Sequence, residues 1–280
     1  MPDFIFYLIT FLLGLAIGSF LNVVIYRYNT GQKVKGRSFC FTCRVQLRWF
    51  ELIPLASYFF QRGRCRSCGS LISLQYPLVE LSTGLIFTLL FWQNNPFVWQ
   101  CVALTWEGGE ISVIATLLFY WLIASILMVI AVYDLRHKII PDHFVYAFIG
   151  LAFLTPIITN LGLSFSELVR IINGVLAATL FFLFFWGLWR YSDGRWMGFG
   201  DAKLVIGIGL LLGLPLGTTA IIIAFWLGAI VGLVLILFRR LKVFRAFSGH
   251  VTAKSEIPFA PFLVLATLLV LVFGWNIFSF

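Results

Sequence analysis

The chain has 280 residues, of which 61% are hydrophobic and only 11% charged, with a mean hydropathy of +1.00 and a net charge of +9. A soluble domain carries about twice that share of charge, a disordered chain does not hold so much apolar surface, and five cysteines are too few for a disulfide scaffold of this length. What remains is an all-α polytopic membrane protein, whose positive charge calls for a membrane explanation before a nucleic-acid one.

Apolar runs near the length that crosses a hydrocarbon core of about 30 Å predict spans at 4–25, 76–92, 111–133, 143–160, 168–190, 202–213, 217–238 and 258–279. The sixth is short, and only the turn signal Gly213-Leu214-Pro215-Leu216-Gly217 separates it from the seventh. Charge supports eight crossings over seven. Loops rich in Lys and Arg resist translocation, and with eight spans 19 of the 20 basic residues fall on one face, leaving Arg170 on the other with Glu107, Glu110 and Glu167. Merging spans 6 and 7 would move the cluster at 239–254 to the wrong side. Both termini are then expected outside. The first span has Asp3 and no basic residue ahead of it, so a retained anchor is expected rather than a cleaved signal.

One polar, basic insertion, residues 28–75, interrupts the apolar pattern between the first and second spans. It carries Cys40, Cys43, Cys65 and Cys68, two C-x2-C pairs separated by 21 residues. A two-residue gap lets two thiolates converge on one ion from a tight turn, and two such knuckles complete a tetrahedral zinc site. Gly63 and Gly69 supply turn freedom beside the second pair. Reduced thiols or two disulfides are the alternatives, and a cytoplasmic face disfavours disulfides. Four thiolates leave no open position for water, so the expected zinc is structural. The arginines of the insertion suit anionic lipid headgroups better than nucleic acid.

Carboxylates at the ends of spans are expensive and are functional candidates by default. Asp134 and Asp142 bracket the loop between spans 3 and 4, and Asp201 opens span 6 within Gly198-Phe199-Gly200-Asp201-Ala202-Lys203. The topology brings all three to one depth on the basic face. Two aspartates that approach closely share a proton and can activate a water for attack on a peptide carbonyl. Capping explains Asp142, which follows Pro141 at a helix start. Glu80, near the inner end of span 2, reads equally as a boundary acid or a site residue.

Together these residues resemble the prepilin peptidase family, membrane aspartyl proteases of the GxGD type. The resemblance runs from Gly18-Ser19-Phe20-Leu21-Asn22 in the first span, through the four-cysteine module and Tyr76-Pro77-Leu78-Val79-Glu80, to Asp134, Ile140-Pro141-Asp142 and the Gly198–Lys203 motif. Ala260 stands where the family often has Gly, and Phe41 where a Pro is common. The resemblance implies a catalytic pair, Asp134 and Asp201, supported by Gly198, Gly200, Lys203 and Asp142. It implies cleavage of the basic leader from type IV prepilins or pseudopilins at the cytoplasmic face of a bacterial inner membrane. It also implies methylation of the new N-terminus with S-adenosylmethionine, for which Gly63 and Arg64 are candidates. Glu51 and Glu80 are candidate contacts for the leader or the methyl donor. The expected organisation is a first span at 1–27, a zinc-binding, methyltransferase-associated module at 28–75 and a transmembrane peptidase domain at 76–280. Rival readings are a GxGD protease that cuts within transmembrane helices, and a non-enzymatic zinc-ribbon adaptor or transporter. Oligomeric state is not legible in the sequence.

Overall fold

The computed structural model describes residues 2–31, 36–104, 109–159, 165–240 and 258–278. Residues 241–254 of the expected basic cluster, with Lys33, Lys35 and Glu107 and the side chains of Arg239, Arg240, Glu110 and Glu167, lie outside the described residues. Among those described there are eight α-helices, one 3-10 turn and no β-strand. The helices are α1 (Pro2–Arg27), α2 (Ala56–Phe60), α3 (Gln75–Leu104), α4 (Gly109–His137), α5 (Asp142–Thr159), α6 (Phe165–Tyr191), α7 (Phe199–Arg240) and α8 (Ala260–Phe273). Among the described residues, four segments are long and apolar enough to cross a membrane: Phe4–Arg27, Ile114–His137, Leu168–Tyr191 and Phe199–Leu235. Asp142–Ile158 and Ala260–Phe273 are shorter apolar helices. Large side chains such as Phe4, Phe165, Trp226 and Leu233 point outward, as a lipid-facing surface requires.

The chain forms two compact units, Met1–Val132 and Tyr133–Phe280. In the first, α1 packs along α3 through small residues. A Cβ on Gly14 would lie 2.7 Å from Gly84 Cα, and one on Gly18 would lie 2.8 Å from Glu80 Cα, so any larger residue would force the helices apart. The α4 ring of Trp121 stacks on Phe87 at 4.9 Å, and its indole N–H donates to the Phe87 carbonyl at 3.1 Å. Asn22, fully buried on α1, donates from Nδ2 to the Tyr76 carbonyl at 3.2 Å.

In the second unit α7 packs against α5, α6 and α8. It leaves helical geometry at Gly213 (φ 71°, ψ −173°), at the turn that the sequence offers as the boundary of spans 6 and 7. Asn173 of α6 fills the gap in the backbone ladder: the Leu214 N–H donates to its Oδ1 at 3.3 Å. Replacing Asn173 by leucine is expected to strand that amide and destabilise the protein by about 1–3 kcal/mol. Thermal unfolding in detergent would report it, and an unchanged midpoint would show that Asn173 does not support the break. The last helix ends at Phe273, six residues before the predicted boundary, because Gly274 takes a left-handed cap (φ 64°) and donates its N–H to the Val270 carbonyl.

Candidate active site and cysteine cluster

Asp134 lies in the last turn of α4 and Asp201 in the first turn of α7. Both are almost fully buried, at 4% and 5% exposure, and they lie within electrostatic reach of each other. Asp134 accepts the Ala260 backbone N–H, and Asp201 accepts that of Gly198. The second Asp201 oxygen, Oδ1, is buried without a hydrogen-bond partner among the described residues. A buried carboxylate oxygen left unsatisfied is costly unless a proton or a bound group completes it.

The loop between α4 and α5 packs onto this motif. A Cβ on Gly200 would meet Ile140 Cβ at 2.9 Å, so the glycine allows the loop to close over the turn beside Asp201. Lys203 is bonded to Asp142 (2.8 Å), which joins the starts of α7 and α5, and its ammonium also lies over the Tyr146 and Phe199 rings at 5.6 and 5.3 Å. Lys203 thus pairs with Asp142 across the two helix starts and not with Asp201 two residues before it. The sequence marks Ala260 only as a departure from the family's glycine and gives no sign of its bond to Asp134. Its contribution is a main-chain N–H, which alanine and glycine provide equally, so the departure from glycine there leaves the bond to Asp134 intact. The flanking Pro258 and Pro261 were the available signal of a fixed turn.

In the first unit the two cysteine pairs form matching knuckles. The Cys40 N–H bonds to Val45 O and the Cys65 N–H to Ser70 O, while Arg44 and Gly69, each four residues after the leading cysteine, adopt left-handed φ of 59° and 72°. The bridges Phe39 to Gln46 and Arg64 to Leu71 close each loop. All four sulfurs lie within 4.8 Å of one another, and Cys40 Sγ and Cys68 Sγ are 3.9 Å apart. Tetrahedral zinc–thiolate geometry asks for sulfurs about 3.8 Å apart, so the cluster could bind such an ion. The Cys43 backbone N–H, with help from Thr42, Ser70 and Cys65, pulls the Cys40 thiol down to about 6. The Val45 N–H favours the Cys43 thiolate, but desolvation and the neighbouring sulfurs outweigh it and push that thiol up to about 11. Such crowding of thiolates is what a divalent cation relieves.

Between the knuckles, Trp49–Leu52 forms the 3-10 turn, whose Glu51 accepts the Arg48 N–H at 2.7 Å. Leu55, at φ 57°, precedes α2 and donates its N–H to Glu80 Oε2 at 2.8 Å. Glu80 is thereby a buried link from α3 to the module. Tyr58 of α2 faces Gly63, where a Cβ would lie 2.8 Å from its hydroxyl. Arg64 stands next to Cys65 in the second bridge.

A pair of buried aspartates at helix ends, set among apolar helices, is the arrangement that a membrane-embedded aspartic peptidase requires. Comparison with known proteins agrees: residues 12–94 match the bacterial peptidase A24 N-terminal domain, and residues 121–233 match the type IV leader peptidase family. The chain belongs to the type IV leader peptidase family and is an integral membrane protein. It is 30% identical to a prepilin leader peptidase/N-methyltransferase of Pseudomonas aeruginosa, over 96% of this chain and 91% of the relative. Relatives of the same description are 28% identical in Bacillus subtilis (97% and 96% covered) and 34% identical in Myxococcus xanthus (83% and 64% covered). No solved structure matches the chain.

Proposed function

We propose that the chain removes the basic leader from type IV prepilins or pseudopilins at the cytoplasmic face of the inner membrane, and methylates the N-terminus so exposed. The observation that carries the first step is the buried Oδ1 of Asp201, which has no partner among the described residues and lies beside Asp134. One carboxyl of the pair takes a proton from water as it attacks the scissile carbonyl, and the other supplies a proton to the departing amine. The buried setting limits competing water around both groups. In this reading eight spans place both termini outside, and 1–27, 28–75 and 76–280 divide the chain into anchor, zinc module and peptidase domain. Zinc on Cys40, Cys43, Cys65 and Cys68 holds the module together. Glu51 contacts the basic leader, the arginines meet anionic lipid, and Gly63, Arg64 and Glu80 serve methyl transfer. S-adenosylmethionine supplies the methyl group when bound.

The test is mass spectrometry of a prepilin-type peptide incubated with the purified protein and S-adenosylmethionine, reading cleavage and the mass increment of one methyl group together. An intact peptide would overturn the reading. For the metal, Cys65→Ser is expected to lose the one zinc per chain measured by elemental analysis and to expose the module to protease. Full zinc content in that variant would remove the ion from this site.

A further inference from the structure

A cavity of about 300 Å³ lies within the first unit, bounded by α1, the cysteine module and the start of α3. Its volume sits at the lower end of the range for small-molecule sites. The wall has two chemistries. One side is aromatic: the Tyr26 and Tyr76 rings stack at 5.0 Å and 9° between planes, and Phe41 lies 5.6 Å from Tyr26. The other is acidic, with Glu51 and the almost fully buried Glu80. Arg27 lines it as well and donates to the Arg37 carbonyl at 3.3 Å.

Aromatic faces attract both a flat heterocycle and a cation. An acidic wall with one buried carboxyl, in a chain of net charge +9, selects positive ligands against the field of the rest of the module. An arginine at the rim suits a carboxylate. An adenosyl amino acid with a sulfonium centre has all of these parts, and an α-ammonium group is the second cation in the reaction.

We propose that this cavity is the methyl-transfer chamber: its aromatic wall and Arg27 hold the sulfonium donor, and Glu80 receives the substrate's α-ammonium. This rests on the reading that the chain methylates its product. The ammonium gives one proton to the Glu80 carboxylate. The freed nitrogen lone pair then forms the N–C bond to the methyl group while the C–S bond breaks, its electron pair remaining on sulfur as a neutral thioether. Glu80 is held in place for this by the Leu55 N–H and the Ser19 hydroxyl, and two acceptor sites on its carboxylate remain for the incoming group.

The experiment uses the zinc-loaded, full-length protein in lipid nanodiscs. Ultraviolet cross-linking of tritiated S-adenosylmethionine, followed by peptide mapping, is expected to label Tyr26, Tyr76 or their neighbours in the wild type. Labelling confined to residues outside the cavity would overturn the assignment without reference to any variant. Tyr26→Leu is expected to weaken donor binding by at least tenfold. Glu80→Gln is expected to keep donor binding within about threefold while methylation of a pre-cleaved peptide falls by about 10²-fold or more, the scale of a lost general base. Wild-type methylation rates in both variants would defeat the chamber while leaving the methyltransferase reading standing. A wild type that neither binds the donor nor methylates would defeat both.

Discussion

Replacing Asp201 by asparagine is expected to lower leader cleavage by about 10²–10⁴-fold, the range for loss of a general acid or base, with Asp134→Asn falling by a similar factor. Asparagine keeps the size and most of the hydrogen bonding of each side chain but can neither take nor give the proton. Each variant should therefore keep its zinc and its unfolding midpoint. The double variant should be scarcely slower than either single one, because groups that act as a unit are not additive. A single-turnover assay on a leader peptide is the measurement. Independent, multiplying losses would mean that the two aspartates do separate jobs.

The second large effect is steric. Gly200→Val is expected to reduce cleavage by about 10²-fold, the scale on which a displacement of about 1 Å at an active site is felt. A Cβ there begins 2.9 Å from Ile140 Cβ, and neither atom is at the end of a flexible chain, so the loop or the first turn of α7 must move. Ile140→Gly in the same molecule should recover part of the rate. If the single variant cleaves normally, the packing of Ile140 on the motif does not set the position of Asp201.

The aspartates, the four cysteines and most helix positions were legible in the sequence for a common reason: each depends on local pattern. Charge is scarce in a chain of this kind, so Asp134 and Asp201 stand out against their apolar surroundings, and two-residue cysteine gaps encode a knuckle by themselves. The break at Gly213 was likewise visible as a Gly-Leu-Pro turn. What stayed hidden depends on partners distant in the chain. Lys203 reaches Asp142 across 61 residues, Glu80 holds Leu55 across 25, and Asn173 serves an amide 41 residues further on. No periodicity announces such pairs. Ala260 was hidden differently, since a main-chain donor leaves no mark on residue type.

The break at Gly213 also acts as a ruler. Twelve residues at about 1.5 Å each put it roughly 18 Å along the axis from Asp201. Contacts with α6 show that the chain turns back there: before the break Phe199 meets Trp189 and Gly209 meets Ala178, and after it Gly217 meets Phe181 and Phe225 meets Phe185. With Asp201 at the inner membrane surface, as proposed, the outgoing arm is shorter than a hydrocarbon core about 30 Å thick. Lipid offers no partner to an amide freed at such a turn, so the Asn173 oxygen is what lets the chain reverse before a full crossing.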